Sequence, residues 1–82
     1  MITVLFFAQL RDQLGCESVS VPAQDIGTLA ALRGHLVARN PHWQPHLEAD
    51  SVLFAVNQTL VKAEHPVRAG DEVAFMPPVT GG

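Results

Sequence analysis

The sequence is poor in cysteine and in cationic residues, and both shortages narrow what the protein can be. Cys16 is the single cysteine among 82 residues, so an intrachain disulfide framework is excluded. The five lysine and arginine residues are scattered, with Lys62 as the only lysine, and the formal net charge is −3. An acidic chain without a basic run is a poor candidate for binding nucleic acid.

Long apolar runs are also missing. The first apolar stretch, residues 2–8, is far shorter than the about 20 apolar residues that a membrane-spanning helix needs. No charged leader precedes this stretch, so we expect no signal peptide and a cytoplasmic location. The chain does contain 48% hydrophobic residues, which is enough for one small domain whose core needs neither disulfide nor metal.

The pattern of apolar residues predicts the secondary structure. Five strands are predicted, over residues 2–8, 17–21, 52–56, 59–62 and 72–76. A short helix is predicted over residues 9–14, with Gly15 as its C-cap. Thr28 is the expected N-cap of a longer helix, which ends near Asn40 because a proline follows. The stretch 42–47 is expected to form a poorly defined turn or short helix.

The order of these elements indicates the fold class. Two strands, a helix and three further strands predict an α+β domain, with a mixed sheet and helices packed on one face. The first and last strands are the most apolar, and we expect both to be central in the sheet. A hairpin, a helical crossover and a closing strand beside the first are typical of the β-grasp fold. We therefore predict a β-grasp domain over residues 1–76 and an extended tail over residues 77–82.

The central strands carry apolar residues on both faces, although a sheet covered on one side should alternate apolar and polar residues. If Val4, Phe6, Val73 and Phe75 face the helices, the opposite face keeps an open apolar patch. Its expected members are Leu5, Phe7, Leu60, Ala74 and Met76. Contiguous exposed apolar surface marks a partner interface more often than not. The alternative is that residues 42–50 cover the patch.

No set of residues stands out as a catalytic or metal centre. His42 and His46 are spaced for one helical face, but prolines interrupt that segment and no carboxylate or cysteine completes a ligand set. Cys16 has no activating neighbour in the sequence, and we interpret it as structural or incidental. We therefore expect no metal site, no bound cofactor and no self-sufficient enzyme.

The last residues, 77–82, have an unusual shape and chemistry. Glycine lacks a Cβ, so a tip made of Gly81 and Gly82 fits a channel too narrow for any other residue. Pro77 and Pro78 fix φ and remove N–H donors, which predicts a stiff arm. The remaining reactive group is the terminal carboxylate of Gly82. Once a partner enzyme has activated it with ATP, a sulfur donor can convert it to a thiocarboxylate, which can deliver sulfur.

Three stretches of the sequence resemble a known family. Residues 1–9 (MITVLFFAQ), 55–61 (AVNQTLV) and 70–82 (GDEVAFMPPVTGG) resemble the small sulfur-carrier subunits of molybdopterin synthase. The chain is similar, more distantly, to the thiamine-pathway sulfur carrier and to ubiquitin. All of these proteins share the ubiquitin-like β-grasp fold and a Gly-Gly end. The resemblance spans nearly the whole chain.

This resemblance implies a role for each part of the chain. Gly82 is adenylated by an enzyme that resembles the ubiquitin-activating class, and it then becomes a thiocarboxylate. The tail that enters the large synthase subunit comprises Pro77, Pro78, Val79, Thr80 and Gly81. Phe7, Leu60 and Met76 lie at the partner surface, with Met76 where the family commonly has an aromatic residue. The large subunit does most of the catalysis, in a heterotetramer that builds the dithiolene of molybdopterin from a precursor pterin.

Three alternatives stay open at this point. The protein could carry sulfur in another pathway, for thiamine, a modified nucleoside or an amino acid. It could be a ubiquitin-like modifier that is joined to target lysines through Gly82. It could also be an interaction module with an inert tail. Chain length and the Pro-Pro-Val-Thr-Gly-Gly ending favour the molybdopterin pathway.

Overall fold

The computed structural model describes residues 1–77, which form one sheet with helices on one face. The strands are β1 (Ile2–Phe6), β2 (Ser18–Val21), β3 (Leu53–Val56), β4 (Thr59–Val61) and β5 (Glu72–Met76). The helices are α1 (Ala8–Leu14), α2 (Leu29–Arg39) and α3 (Gln44–Leu47), and a 3₁₀ turn, Pro41–Trp43, precedes α3. In this part of the chain no helix has the length and apolar character needed to cross a membrane.

The strands are ordered β2-β1-β5-β3-β4 across the sheet. β1 and β5 run parallel, and the β1–β2, β3–β5 and β3–β4 pairs are antiparallel. The first and last strands are therefore neighbours, and the chain between them crosses over through α2. This arrangement confirms the predicted α+β class, the mixed sheet and the β-grasp topology.

Local sequence signals set most of the element boundaries. The Thr28 hydroxyl oxygen accepts the Ala31 N–H at 3.1 Å, which caps α2 as predicted. Gly15 ends α1 in the left-handed conformation, with φ 65°, as its C-cap role requires. The prediction that the first strand continues to Ala8 is wrong. Ala8 adopts φ 53°, which turns the chain out of β1 and into α1.

The core lies between the sheet and the helices. Ile2, Val4 and Phe6 of β1 and Val73 and Phe75 of β5 are at most 1% exposed. They pack with the buried leucines of α2, which are Leu29, Leu32 and Leu36. Each aromatic ring buried in this way contributes about 1.5–3 kcal/mol to stability. This central layer fixes the direction in which β5 leaves the domain.

A polar network ties the β3–β4 turn to the start of β5. Asn57 and Gln58 form the turn with φ 49° and 71°, which suits a tight two-residue hairpin. One Asp71 carboxylate oxygen accepts the Arg68 backbone N–H at 2.8 Å, and the other accepts the Asn57 side-chain N–H at 3.0 Å. Asn57 in turn accepts the Glu72 N–H at 3.0 Å. The Arg68 backbone bond and then the Asn57 bond hold the pKa of Asp71 below its ordinary value of 3.8.

This network predicts a pH-dependent effect of Asp71→Asn. Because the folded state lowers the Asp71 pKa, ionised Asp71 stabilises the fold above about pH 4, and that contribution is lost as the pH falls through the folded-state pKa. We expect Asp71→Asn to lower the urea midpoint at neutral pH, and the difference from wild type to shrink at acid pH. Asp12→Asn, on the exposed surface of α1, is the matched control. An equal difference at both pH values would contradict the charge-based account.

Candidate functional site

The last strand, β5, leads directly into the tail. β5 pairs with β1 on one side and β3 on the other, so it is anchored on both edges. Its Val73 and Phe75 side chains are fully buried, while Ala74 and Met76 alternate to the opposite face. Pro77 follows directly. The tail therefore begins at the end of one of the most firmly held strands.

The face of the sheet opposite the helices has a floor of small residues. Strand register places Ala74 of β5 opposite Ala55 of β3, and Leu5 and Leu60 continue this row on the outer sides. Ala55 is only 6% exposed although it lies on the face opposite the helices. Small side chains at the centre and large ones at the rim produce a concave surface.

We call this concave surface the open-face concavity, and its volume is about 390 Å³. Its lining consists of Phe7, Ala55, Gln58, Leu60, Glu72, Ala74 and Met76. Phe7 is 44% exposed and Leu60 is 65% exposed, so both rim residues offer apolar area to a partner. Apart from one amide and one carboxylate, the lining is apolar, which is the composition expected of a protein-docking surface.

The junction between β1 and α1 holds Phe7 in place on this rim. Its backbone N–H donates to the Phe75 carbonyl at 3.2 Å, and its carbonyl accepts the Leu10 N–H at 3.1 Å. The left-handed conformation of Ala8 then diverts the chain into α1. Phe7 thus keeps the alternation of β1, which points it away from buried Phe6, although it lies one residue beyond the strand.

The structure brings together most of the residues that the sequence assigned to the open patch. Phe7, Leu60, Ala74 and Met76 line the concavity, whereas Leu5 is half-buried beside Ala74 and is not part of the lining. Three lining residues were missed, namely Ala55, Gln58 and Glu72. The register between strands would have identified them, because it shows which residues lie side by side on the open face. The residue pattern along a single strand does not reveal that register.

Residues 42–50 do not cover the concavity. Trp43 and Leu47 are buried in the core, and the Trp43 ring packs edge-on against Phe6 at a centroid distance of 5.3 Å. This segment therefore belongs to the helical layer on the other side of the sheet. The alternative that residues 42–50 cover the apolar patch is therefore wrong.

The tail prediction falls mostly outside the described residues. Pro78, Val79, Thr80, Gly81 and Gly82 lie beyond them, and only Pro77 is placed. Pro77 is half-buried and lines a cleft of about 280 Å³ together with Gln9 and Gln13 of α1 and His46 of α3. The root of the tail is thus seated against the helical layer.

The remaining polar candidates do not assemble into a reactive centre within residues 1–77. No group of three or more His, Cys, Asp or Glu residues in this range could hold a metal ion. Cys16 packs partly against the core, and its Sγ donates a weak hydrogen bond to the Ser18 carbonyl at 3.4 Å. A packed thiol with a carbonyl neighbour agrees with a structural interpretation of Cys16.

Comparisons with known proteins agree in family and fold. The model of the ThiS family matches residues 4–82. The chain is 54% identical to the molybdopterin synthase sulfur carrier subunit of Escherichia coli (strain K12), with all of both chains covered. It is 45% identical, again with full coverage of both, to the subunit of the same name from Haemophilus influenzae. Among solved structures, SAMP1 from Haloferax volcanii superposes with a TM-score of 0.83 at 25% identity, covering 99% of this chain and 98% of that one.

Proposed function

Since this chain belongs to the ThiS family, we propose that it is the sulfur carrier subunit of a molybdopterin synthase. The proposal rests on the continuity between a docking surface and the tail. Met76 lines the open-face concavity as the last residue of β5, and the next residue, Pro77, begins the tail. A partner that binds the concavity therefore receives the tail at a fixed starting point. The full-length relatives named as such subunits support this function.

The chemistry follows from the terminal carboxylate of Gly82. One of its oxygens attacks the α-phosphate of ATP on a partner enzyme, and pyrophosphate leaves. Hydrosulfide from a sulfur donor then attacks the carbonyl carbon of the acyl-adenylate, AMP leaves, and a thiocarboxylate and a proton remain. The thiocarboxylate sulfur displaces an oxygen substituent from a carbon of the precursor pterin, so a C–S bond forms, a C–O bond breaks and the carrier is joined to the pterin as a thioester. Water cleaves this thioester, so the sulfur stays on the pterin and Gly82 regains its carboxylate.

The partners divide this work between them. The adenylating enzyme resembles the ubiquitin-activating class and supplies ATP, so the carrier itself holds no cofactor. The large synthase subunit accepts the tail, Pro77 to Gly82, and contributes most of the catalytic residues. The carrier is thus part of an enzyme without being one alone, and it works in the cytoplasm. Phe7, Leu60 and Met76 supply the apolar contacts that position the tail.

Intact-mass analysis tests the carrier role. The purified protein is incubated with its activating enzyme, ATP and a sulfur donor, and we expect the mass shift of one oxygen exchanged for sulfur at the C-terminus. Omission of ATP is the control, since the carboxylate is not an electrophile without adenylation. A mass that stays unchanged in the complete mixture would remove every sulfur-carrier interpretation.

The likeness to SAMP1 favours a second candidate function. That protein is a small archaeal modifier protein, and it shares this fold over nearly the whole length. As a modifier, the chain would form an isopeptide bond between Gly82 and a target lysine. Isopeptide-linked peptides in digests of purified conjugates would support modification, and their absence alongside thiocarboxylate formation would favour the carrier.

A further inference from the structure

The open face of the sheet carries opposite charges at two of its corners. Glu72 lines the open-face concavity at the start of β5. Lys62, the only lysine, directly follows β4, and alternation from Leu60 places it on the same face. The register continues from Lys62 through Leu53 to Met76. Glu72 and Lys62 are therefore four residues and two strands apart, which is about 16 Å on ideal sheet spacings.

These two charges do not neutralise each other within one copy. Their separation of about 16 Å is about twice the screening length of about 8 Å at physiological ionic strength. The neighbours of Lys62 across the sheet are the apolar Leu53 and Met76, and the β1 neighbour of Glu72 is Thr3. Both charged residues are exposed. Each is therefore available to an opposite charge on a molecule bound at this face.

A second copy of the chain presents the matching charges. Ala55 lies midway between Glu72 and Lys62 in the strand register. A two-fold axis that passes over Ala55 in the plane of the face brings Glu72 of one copy against Lys62 of the other. In a two-fold dimer the same surface serves both copies, so this contact occurs twice. The face is therefore complementary to itself in charge.

The shape of the face agrees with the same axis. On ideal sheet spacings Phe7 lies close to the axis, so the exposed Phe7 rings of the two copies meet there. Met76 of each copy then lies over Ala74 of the other, where a long adaptable side chain meets the floor of small residues. The strands of the two copies cross closer to a right angle than to parallel, which is one of the two usual ways in which sheets pack.

We propose that the open-face concavity docks a second copy of this chain. The symmetric dimer is held by apolar contacts at Phe7 and Met76 and by two ion pairs between Glu72 and Lys62. The face spans about 13 Å along the strands and about 19 Å across them. This is well below the about 800 Å² per partner of a standard interface. The dimer is therefore weak and reversible, with a dissociation constant of roughly 0.1–1 mM.

Such a dimer competes with the large synthase subunit for the same face. In carrier that has no partner, the second copy covers the apolar rim at Phe7 and Met76. The large subunit also takes up the tail, so it binds more tightly and displaces the second copy. This competition rests on the proposed function, whereas dimer formation needs neither the large subunit nor sulfur chemistry.

Dilution of the full-length protein on its own tests for the dimer. Sedimentation velocity and ¹⁵N NMR spectra are recorded from about 20 µM to about 2 mM, a range that brackets the expected dissociation constant. We expect the average mass to rise with concentration and the amide signals of Phe7, Ala74 and Met76 to shift along with it. Excess large subunit should remove the dimer and leave one carrier in each contact.

Charge reversal tests how the two copies are oriented. Glu72→Lys and Lys62→Glu should each weaken the dimer at least about tenfold, because symmetry creates two like-charge contacts. An equimolar mixture of these two variants should regain the wild-type affinity, since opposite charges then meet at both contacts. Asp12→Lys and Arg39→Glu make the same charge changes on exposed positions of α1 and α2. These controls should stay within about twofold of wild type.

Several results would overturn the inference. These are a wild-type protein that stays monomeric at about 2 mM, controls that weaken the dimer as much as the open-face variants, or a mixture that binds no more tightly than either variant alone. Shifts centred on β2 or the helices would equally contradict it. If the dimer is absent while the large subunit still binds, only this inference is lost. If the dimer forms and the large subunit does not bind, the proposed function fails instead.

Discussion

Deletion of Gly82 is expected to reduce sulfur transfer by at least about 100-fold while the domain keeps its stability. The reacting carbon would then belong to Gly81 and would fall short of the acceptor by one residue. Misplacement of a reacting group by as little as about 1 Å can cost this much in rate. The measurement is single-turnover transfer to the precursor pterin on the large synthase subunit, with melting temperature as the check on folding.

The complementary variant carries one extra residue after Gly82. The added residue lengthens the tail, so the carboxylate passes the position at which it reacts. If the added residue is alanine, its Cβ must also enter the channel. We expect a similar loss of transfer. A glycine placed ahead of Met1 is the matched control, because it lengthens the chain by one residue at the other end. Retained transfer in either C-terminal variant would contradict the argument from a narrow channel.

Phe7→Asp is expected to weaken binding of the large synthase subunit about 100-fold, which is about 3 kcal/mol. Phe7 is 44% exposed, so its replacement removes apolar contact area at the rim of the concavity without opening the core. The new carboxylate would also be buried against Ala74 and Met76 without a partner. Isothermal titration with the purified large subunit gives the affinity, and circular dichroism checks the fold.

Ala38→Asp is the matched control for this variant. It introduces the same carboxylate at an exposed position of α2, outside the open-face concavity. We expect its affinity for the large subunit to stay within about twofold of wild type. The affinity of Phe7→Leu should lie between those of Phe7→Asp and Ala38→Asp, since leucine keeps the apolar character of the site but offers less contact area. Unchanged affinity for Phe7→Asp would mean that the interface lies elsewhere on the domain.

Local signals made much of the fold predictable. The last strand, over residues 72–76, matches β5 in full, and the Thr28 and Gly15 caps lie where those residue types predict them. The central position of the first and last strands followed from their apolar character, and their adjacency followed from the β-grasp order of the elements. The turn at Ala8 could not be predicted, because alanine carries no preference for a positive φ. The backbone hydrogen bonds from Phe7 to Phe75 and from Leu10 to Phe7 hold the chain on either side of that turn.

The candidate site was predictable to a lesser degree. Alternation along single strands identified Phe7, Leu60 and Met76 as exposed apolar residues, and their role at an interface stays a prediction. Ala55 was missed because burial of a small residue depends on its neighbours across the sheet. Residues 42–50 gave no clear pattern, since Pro45 within the segment, Pro41 just before it and Trp43 leave the choice of face to packing. The reactive tail was identified from its composition and from the family resemblance.

Single-turnover reconstitution tests the central claim most directly. Protein charged as the thiocarboxylate is mixed with the large synthase subunit and precursor pterin, and both molybdopterin and the C-terminal mass of the carrier are followed in time. The account predicts that molybdopterin forms as the carrier returns to its carboxylate form, with a pair of thiocarboxylates consumed for each dithiolene. Carrier that remains charged, with no molybdopterin formed, would contradict it.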